Sequence, residues 1–236
     1  MHVIVTAGPT REYLDPVRFL SNPSTGKMGF AIAAEAARRG HEVTLVAGPV
    51  ALKTPKGEKR VDVTSAREML VAVEAALGDS KRTAARETVL IATAAVADWR
   101  PAKCAAKKLK KGEMSGVLKL VRNPDILKTI DSYRKRSKAV GLRLVGFAAE
   151  TDHVLVEAAR KCREKGLSFI VANDVTKKGC GFGTDTNKVT FVFPDGTQKK
   201  FSLMTKRRVA AQILNAVEGL RTMTETQCGS RLVHLK

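Results

Sequence analysis

The sequence predicts an α/β fold: a doubly wound, mostly parallel, Rossmann-like sheet with a C-terminal β-hairpin extension. Three observations carry it. Short, almost continuously apolar runs such as His2 to Thr6, Thr88 to Ala95 and Leu167 to Ala172 read as strands buried on both faces. Between such runs lie amphipathic segments of helical length, so strand and helix alternate along the chain. Near the end, two alternating segments flank Pro194-Asp195-Gly196-Thr197, the signature of an antiparallel hairpin. One domain over residues 1–222 accommodates this organisation, followed by a tail at 223–236.

The first strand stops at Ala7-Gly8-Pro9-Thr10, a turn at the carboxyl edge of the sheet. A polar insertion, Arg11 to Asn22, separates that turn from the first helix, which runs from about Gly26 to Arg39 and stops at Gly40. Small and polar residues at Ser24-Thr25-Gly26 leave backbone N–H groups and the positive end of the helix dipole open to an anion. Lys27 opposes that dipole, so the residues predict a negative charge beside it.

Val43 to Ala47 and Val61 to Val63 supply further strands. Ser65-Ala66-Arg67-Glu68 is a capping box opening a helix with Met69, Leu70, Val73 and Leu77 on one face, ended by Gly78. Thr88 to Ala95 is a central strand that delivers Ala97, Asp98, Trp99 and Arg100 to the same carboxyl edge as Gly8. Residues 101–116 carry no helical or strand period, only the lysines Lys103, Lys107, Lys108, Lys110 and Lys111, which reads as a mobile flap. Val117 to Val121 returns as a strand, and Asn123-Pro124-Asp125-Ile126 reads as a helix start with Asn123 as N-cap. Strands at Leu144 to Phe147 and Leu167 to Ala172 flank a helix from about Asp152 to Lys165, closed by Gly166. The hairpin occupies about 187–203, and an amphipathic helix from Lys206 to Leu220 closes the domain.

The formal charge is +19, and the stretch from Trp99 to Lys138 holds 13 Lys or Arg against 3 acids. Such an excess suits nucleic acid, anionic lipid or a small phosphorylated ligand. With aromatic residues at 5% and no recognised binding module, a specific nucleic-acid partner is not expected, although salt-sensitive adhesion is. No apolar run approaches the roughly 18 to 20 residues of a membrane span. Cys104, Cys162, Cys180 and Cys228 show neither paired metal spacing nor a disulfide framework, and a reducing cytoplasm is the expected compartment. The opening strand, helix and strand invite an NAD(P)-dependent oxidoreductase, but the G-x-G-x-x-G turn is absent. The pair Gly26-Lys27 lacks both the earlier glycine of a P-loop and the Ser or Thr that should follow the lysine.

Seven motifs stand in order: Thr6-Ala-Gly-Pro-Thr-Arg11, Asp15-Pro-Val-Arg18, Ser24-Thr-Gly-Lys-Met-Gly29, Ala94-Ala-Val-Ala-Asp98, Asn123-Pro-Asp-Ile126, Gly146-Phe-Ala-Ala-Glu150 and Ala172-Asn-Asp174. With them the chain resembles, from Val5 to about Leu214, the phosphopantothenoylcysteine synthetase domain of the coenzyme A pathway. The resemblance is to the bacterial type and implies CTP with Mg²⁺. In many bacteria this domain follows a flavin-dependent decarboxylase; the resemblance covers only the synthetase, so no flavin is expected, whether the chain is a stand-alone enzyme or an excised domain. The implied reaction has two halves. The carboxylate of 4′-phosphopantothenate attacks the α-phosphate of CTP, giving an acyl-cytidylate and pyrophosphate, and the amine of cysteine then displaces CMP.

Residue by residue, the family's intermediate-binding asparagine falls on Asn22 and its flap lysine on Lys108, with Lys110 as the alternative register. Arg18, Asn22, Gly26, Lys27 and Ala94 fall on the acyl-substrate side. Asp98, Lys108, Asn123, Pro124, Asp125, Ile126, Phe147, Lys161 and Lys165 fall on the nucleotide side. No metal ligand is assigned, because Mg²⁺ often arrives on substrate phosphates. A cytoplasmic homodimer without membrane attachment is implied, with the 187–203 hairpin as the candidate contact.

Overall fold

Alternation along β1 (His2–Ala7) sets the architecture. Val3, Val5 and Ala7 face one side of the sheet and Ile4 the other, and all four are fully buried, so both faces require a cover. The structure, a computed structural model, describes residues 1–78, 87–113, 116–150, 153–174 and 179–231. On the first face, α1 (Lys27–Arg38) and α5 (Lys206–Arg231) pack together and bring Phe30, Ile32, Val209 and Ile213 against the strands. On the second, α2 (Ala66–Leu77), α3 (Ile126–Arg136) and α4 (Val154–Glu164) contribute Met69, Val73, Ile130, Ala158 and Cys162.

The sheet follows the order β5 (Lys59–Asp62), β4 (Glu42–Ala47), β1, β6 (Thr88–Ala92), β9 (Leu142–Glu150), β10 (Phe169–Asp174), all parallel. Two antiparallel strands, β12 (Val189–Val192) and β13 (Gln198–Lys200), extend it beyond β10. Val5 aligns with Leu45 on one side and Ile91 on the other. The connections therefore run outward in opposite directions from β1 and β6, and the crevice at their carboxyl ends is the topological switch point of the sheet.

Three short pairs decorate that edge: β2 (Arg11–Tyr13) with β3 (Phe19–Ser21), β7 (Trp99–Pro101) with β8 (Leu120–Arg122), and β11 (Thr186–Asn187) with β14 (Met204–Thr205). The polar insertion is thus a hairpin, and the lysine-rich segment is an excursion between two paired strands that includes a 3₁₀ turn at Lys111–Glu113.

Several boundaries differ from the sequence reading. β6 ends at Ala92, because Thr93 turns its hydroxyl to the Thr6 carbonyl and the chain leaves the ladder there. The strand expected at Val117 to Val121 is Leu120–Arg122. α3 is capped by Asp125, whose side chain accepts from the Lys128 N–H, and not by Asn123. Asn123 is held elsewhere: its Nδ2 donates to the Ala97 carbonyl at 2.8 Å and its Oδ1 accepts from Arg100. The closing helix continues to Arg231, past Leu220, with no proline to interrupt it. The capping box forms as expected, with the Glu68 N–H donating to Ser65 Oγ and Glu68 Oε2 accepting from the Thr64 N–H.

One glycine fixes the seat of α1. A Cβ at Gly29 would lie 2.5 Å from both Ala7 Cβ and Thr93 Oγ1, so only glycine lets the first turn of α1 rest on β1 and the end of β6. Gly29→Ala is predicted to destabilise the fold by about 1–3 kcal/mol through overpacking, read as a lower urea midpoint with unchanged m-value. An unchanged midpoint would contradict this close approach.

Candidate active site

The site is assembled around the backbone of Ala95. Its N–H donates to the Gly8 carbonyl at 2.9 Å, and its carbonyl accepts from Asn22 Nδ2 at 3.0 Å. Thr10, fully buried, accepts the Ala97 N–H on its hydroxyl, and Ser21 Oγ donates to the Thr10 carbonyl. The turn after β1, the exit from β6 and the inserted hairpin are thereby joined at one point, and Asn22 is oriented there by a bond from one of its two amide hydrogens.

Two hollows meet under this junction. The inner cavity, about 130 Å³, is bounded by Ser24 to Gly29, Thr93 to Ala95, Phe147, Asn173, Asn187 and Lys206, with the Gly181 to Gly183 loop above. Gly26 is the N-cap of α1 at φ 77° and no side chain caps the helix. Lys27 and Lys206 contribute two ammonium groups, and among the described residues no carboxylate lines this cavity. The negative charge expected beside Lys27 is supplied by the protein: Asp185 Oδ1 lies 2.7 Å from Lys27 Nζ, which also donates to the Gly183 carbonyl. Asp185 is correspondingly held below the usual carboxylate range, chiefly by that hydrogen bond.

The outer cavity, about 270 Å³, has the opposite character. It is lined by Ala94 to Asp98, the Asn123 to Leu127 helix start, Phe147 and Lys165. Asp98 and Asp125 are its acids, and the cation Lys165 is paired with Asp125 at 2.9 Å. Ala94, Ala95 and Phe147 are common to both cavities and form the wall between them. Chemically, the outer cavity offers carboxylate acceptors beside a flat apolar ring, suited to hydroxyl and amino donors, and the inner one offers cations and helix N–H groups, suited to phosphate or carboxylate.

Among the residues singled out from the sequence, Gly26, Lys27, Ala94 and Phe147 line the inner cavity, and Ala94, Asp98, Asn123, Pro124, Asp125, Ile126, Phe147 and Lys165 line the outer one. Lys161 stands one turn before Lys165 and lines neither. Lys108 and Lys110 are exposed and line neither cavity. Arg18 is engaged by Asp15, with Nε at 3.0 Å from Oδ2, and its Nη2 donates to the Leu109 carbonyl at 2.9 Å.

The Asp15–Arg18 pair is the clasp of the flap. Asp15 is fully buried and accepts the N–H groups of Val17, Arg18 and Leu109. Both backbone groups of Leu109 are therefore held, between Lys108 and Lys110, and the Ala105 N–H donates to the Leu14 carbonyl at 2.8 Å. The Arg18 guanidinium, followed by backbone N–H groups, holds the Asp15 carboxyl well below the usual range.

Three wall residues stand outside the site residues expected from the sequence. Asn173, at the end of β10, donates to the Cys180 carbonyl while its Oδ1 is buried without a hydrogen-bond partner among the described residues. Asn187 lies beside it in the same wall. Lys206, the first residue of α5, is only 8% exposed and donates to the Thr184 carbonyl. The clue available in the sequence was Asn173, which belongs to the Ala172-Asn-Asp174 motif without an assigned role.

Asp15→Asn is predicted to loosen the flap, with tryptic cleavage at Lys107 to Lys111 several-fold faster at neutral pH; an unchanged rate would remove the clasp. The sign for pH follows from the depressed carboxyl: its contribution is complete above the unfolded value near ~3.9 and is lost as pH falls through the folded one.

Comparison with known proteins agrees with this fold. The family model for the DNA/pantothenate metabolism flavoprotein C-terminal domain matches residues 1–220. The coenzyme A biosynthesis bifunctional protein CoaBC of Bacillus subtilis is 43% identical over 224 residues, covering 94% of this chain and 52% of that protein. The chain thus spans about half the length of the curated relatives it matches. The crystal structure of the C-terminal domain of a CoaBC protein superposes with TM-score 0.74 at 40% identity, covering 94% of this chain and 95% of that one. A Cab2 mutant in complex with phosphopantothenate-cysteine shares the fold at TM-score 0.70 and 15% identity, covering 95% of this chain and 88% of that one. The chain belongs to the DNA/pantothenate metabolism flavoprotein C-terminal domain family.

Proposed function

We propose that the protein is a phosphopantothenate–cysteine ligase of coenzyme A biosynthesis, which activates 4′-phosphopantothenate with CTP and couples the acyl-cytidylate to cysteine. The observation that carries this reading is the pair of adjoining cavities of opposite polarity, sharing the wall Ala94, Ala95 and Phe147 beneath Asn22. A ligase of this kind must hold a nucleoside and several phosphates side by side and keep the acyl group at their junction.

The nucleoside occupies the outer cavity, with its ring system against Phe147 and its hydroxyl or amino donors toward Asp98 and the Asn123 to Ile126 turn. Lys165, already neutralised by Asp125, shapes this wall, and Lys161 adds positive potential one turn away. The α-phosphate then stands at the shared wall. A carboxylate oxygen of 4′-phosphopantothenate forms the new bond to phosphorus, and the bond to the bridging oxygen breaks with loss of pyrophosphate. Gly26, Lys27 and Ala94 line the acyl-substrate side, and Asn22 donates its second amide hydrogen to the acyl carbonyl. The cysteine amine attacks the acyl carbon, loses a proton, and CMP leaves with the bonding pair. Lys108, carried on the flap, closes over the charge that develops in both steps, and Arg18 attracts the anionic substrate to the hairpin.

Among the described residues no group of three His, Cys, Asp or Glu side chains is gathered for a metal. Mg²⁺ is therefore proposed to enter on the nucleotide phosphates near Asp98, where it would neutralise phosphate charge. The unit is a homodimer. The exposed apolar side chains Phe19, Trp99 and Leu120 lie in the β2–β3 and β7–β8 pairs, with Val17 in the turn between β2 and β3 and Leu118 just before β8, whereas β13 presents Gln198, Lys199 and Lys200. This favours the contact on the apolar pairs over the 187–203 hairpin. Among the described residues no helix is long and apolar enough to cross a membrane, and a cytoplasmic location is proposed with the pathway.

The direct test incubates the protein with 4′-phosphopantothenate, Mg²⁺ and CTP or ATP, and follows pyrophosphate with and without cysteine. Pyrophosphate release that depends on CTP and product that depends on cysteine are expected; no nucleotide-dependent release would end the proposal. Asn22→Asp is expected to impair turnover of the acyl-cytidylate by setting a negative charge against it. Lys108→Gln should lower kcat by about 10²–10³ with the KM for CTP little changed. Turnover equal to wild type in that variant would transfer the role to Lys110.

A further inference from the structure

A second hollow opens behind the inner cavity, about 410 Å³ in volume, between Leu52, Lys53, Pro55 and the start of α5. Lys27 and Lys206 border both, so their ammonium groups stand at the passage from one to the other. Lys53 and Arg207 line the outer side, and Asp185, with its side chain 84% exposed, is the one carboxylate among the residues described there. Among the described residues, four cations thus face one acid, and two of them also face an inner cavity lined by no carboxylate. Lys206 donates to the Thr184 carbonyl, a bond that an uncharged donor would make equally well, yet the group buried there is an ammonium beside a second ammonium. Such a placement is costly unless a negative group joins it.

We propose that Lys206, together with Lys27, is a phosphate receptor at this passage, binding the terminal phosphate of a reactant. This rests on the ligase reading for the identity of that reactant, which has two sources of the same chemistry: the 4′-phosphate of the acyl substrate, or the outer phosphates of the nucleotide that leave as pyrophosphate. Burial, and then the charge of Lys27, lower the affinity of Lys206 for its proton against the opposing pull of Asp185, and a phosphate dianion would add to that pull.

The experiment titrates the whole chain by calorimetry with inorganic pyrophosphate and, separately, with 4′-phosphopantothenate, for the wild type and for Lys206→Met. At least one probe should bind the variant about tenfold more weakly, the loss expected for one charge-assisted hydrogen bond. Loss for pyrophosphate alone assigns the leaving group, and loss for 4′-phosphopantothenate alone assigns its phosphate. Equal affinity for both probes in a folded variant would overturn the proposal. Should Lys206→Met fail to fold, the wild type decides through acetylation of Lys206 read by mass spectrometry. Protection by either probe is expected, and protection by neither overturns the receptor. Binding of these probes requires no turnover, so Lys206-dependent binding in a protein that releases no pyrophosphate would refute the ligase reading and leave the receptor standing.

Discussion

The site depends on where α1 begins. Gly29 lets the first turn of that helix lie against Ala7 and Thr93, which brings its uncapped N-terminus to the crevice between β1 and β6. A parallel sheet offers a usable crevice where its connections diverge, and the helix end adds oriented N–H groups there. The Ala95 backbone, bonded to Gly8 and Asn22, then ties the inserted hairpin to the same place. A methyl group at Gly29 would act on the fold and on the site together, because one contact sets both.

Charge is divided across this junction. Among the described residues, the inner cavity has two ammonium groups and no lining carboxylate, and the outer one has Asp98 and Asp125 against Lys165. On the proposed reading this division orients a nucleotide without any base-specific contact being needed first, since reversed binding would set phosphates against carboxylates. It also explains how a chain with formal charge +19 is put to use: a small part of the excess lines the cavities, and much of the rest lies on the exposed flap and helix surfaces.

The fold was legible where one local rule decided the outcome. Continuous burial along His2–Ala7, the capping box at Ser65 and the stop at Gly78 each depend on residues within a few positions of one another. Of the candidate site, the motifs made a grouping legible: most of the residues expected on the nucleotide side line one cavity. What the sequence left open or misread required distant partners. The negative charge expected beside Lys27 comes, within the chain, from Asp185, 158 positions away. Asn123 looks like a cap until Ala97 and Arg100 claim its side chain, leaving Asp125 to cap the helix. Lys206 reads as one more surface lysine at a helix start, and only the packing of α5 on α1 buries it at the passage.

The central claim is that adjoining cavities bind the nucleoside and phosphate parts of one reactant separately. Calorimetric titration of cytidine, with and without saturating pyrophosphate, tests it most directly when repeated on Phe147→Ala. The account predicts that cytidine binds equally well in the presence of pyrophosphate and that Phe147→Ala weakens cytidine while leaving pyrophosphate unchanged. Displacement of cytidine by pyrophosphate, or equal loss of both ligands in the variant, would contradict it.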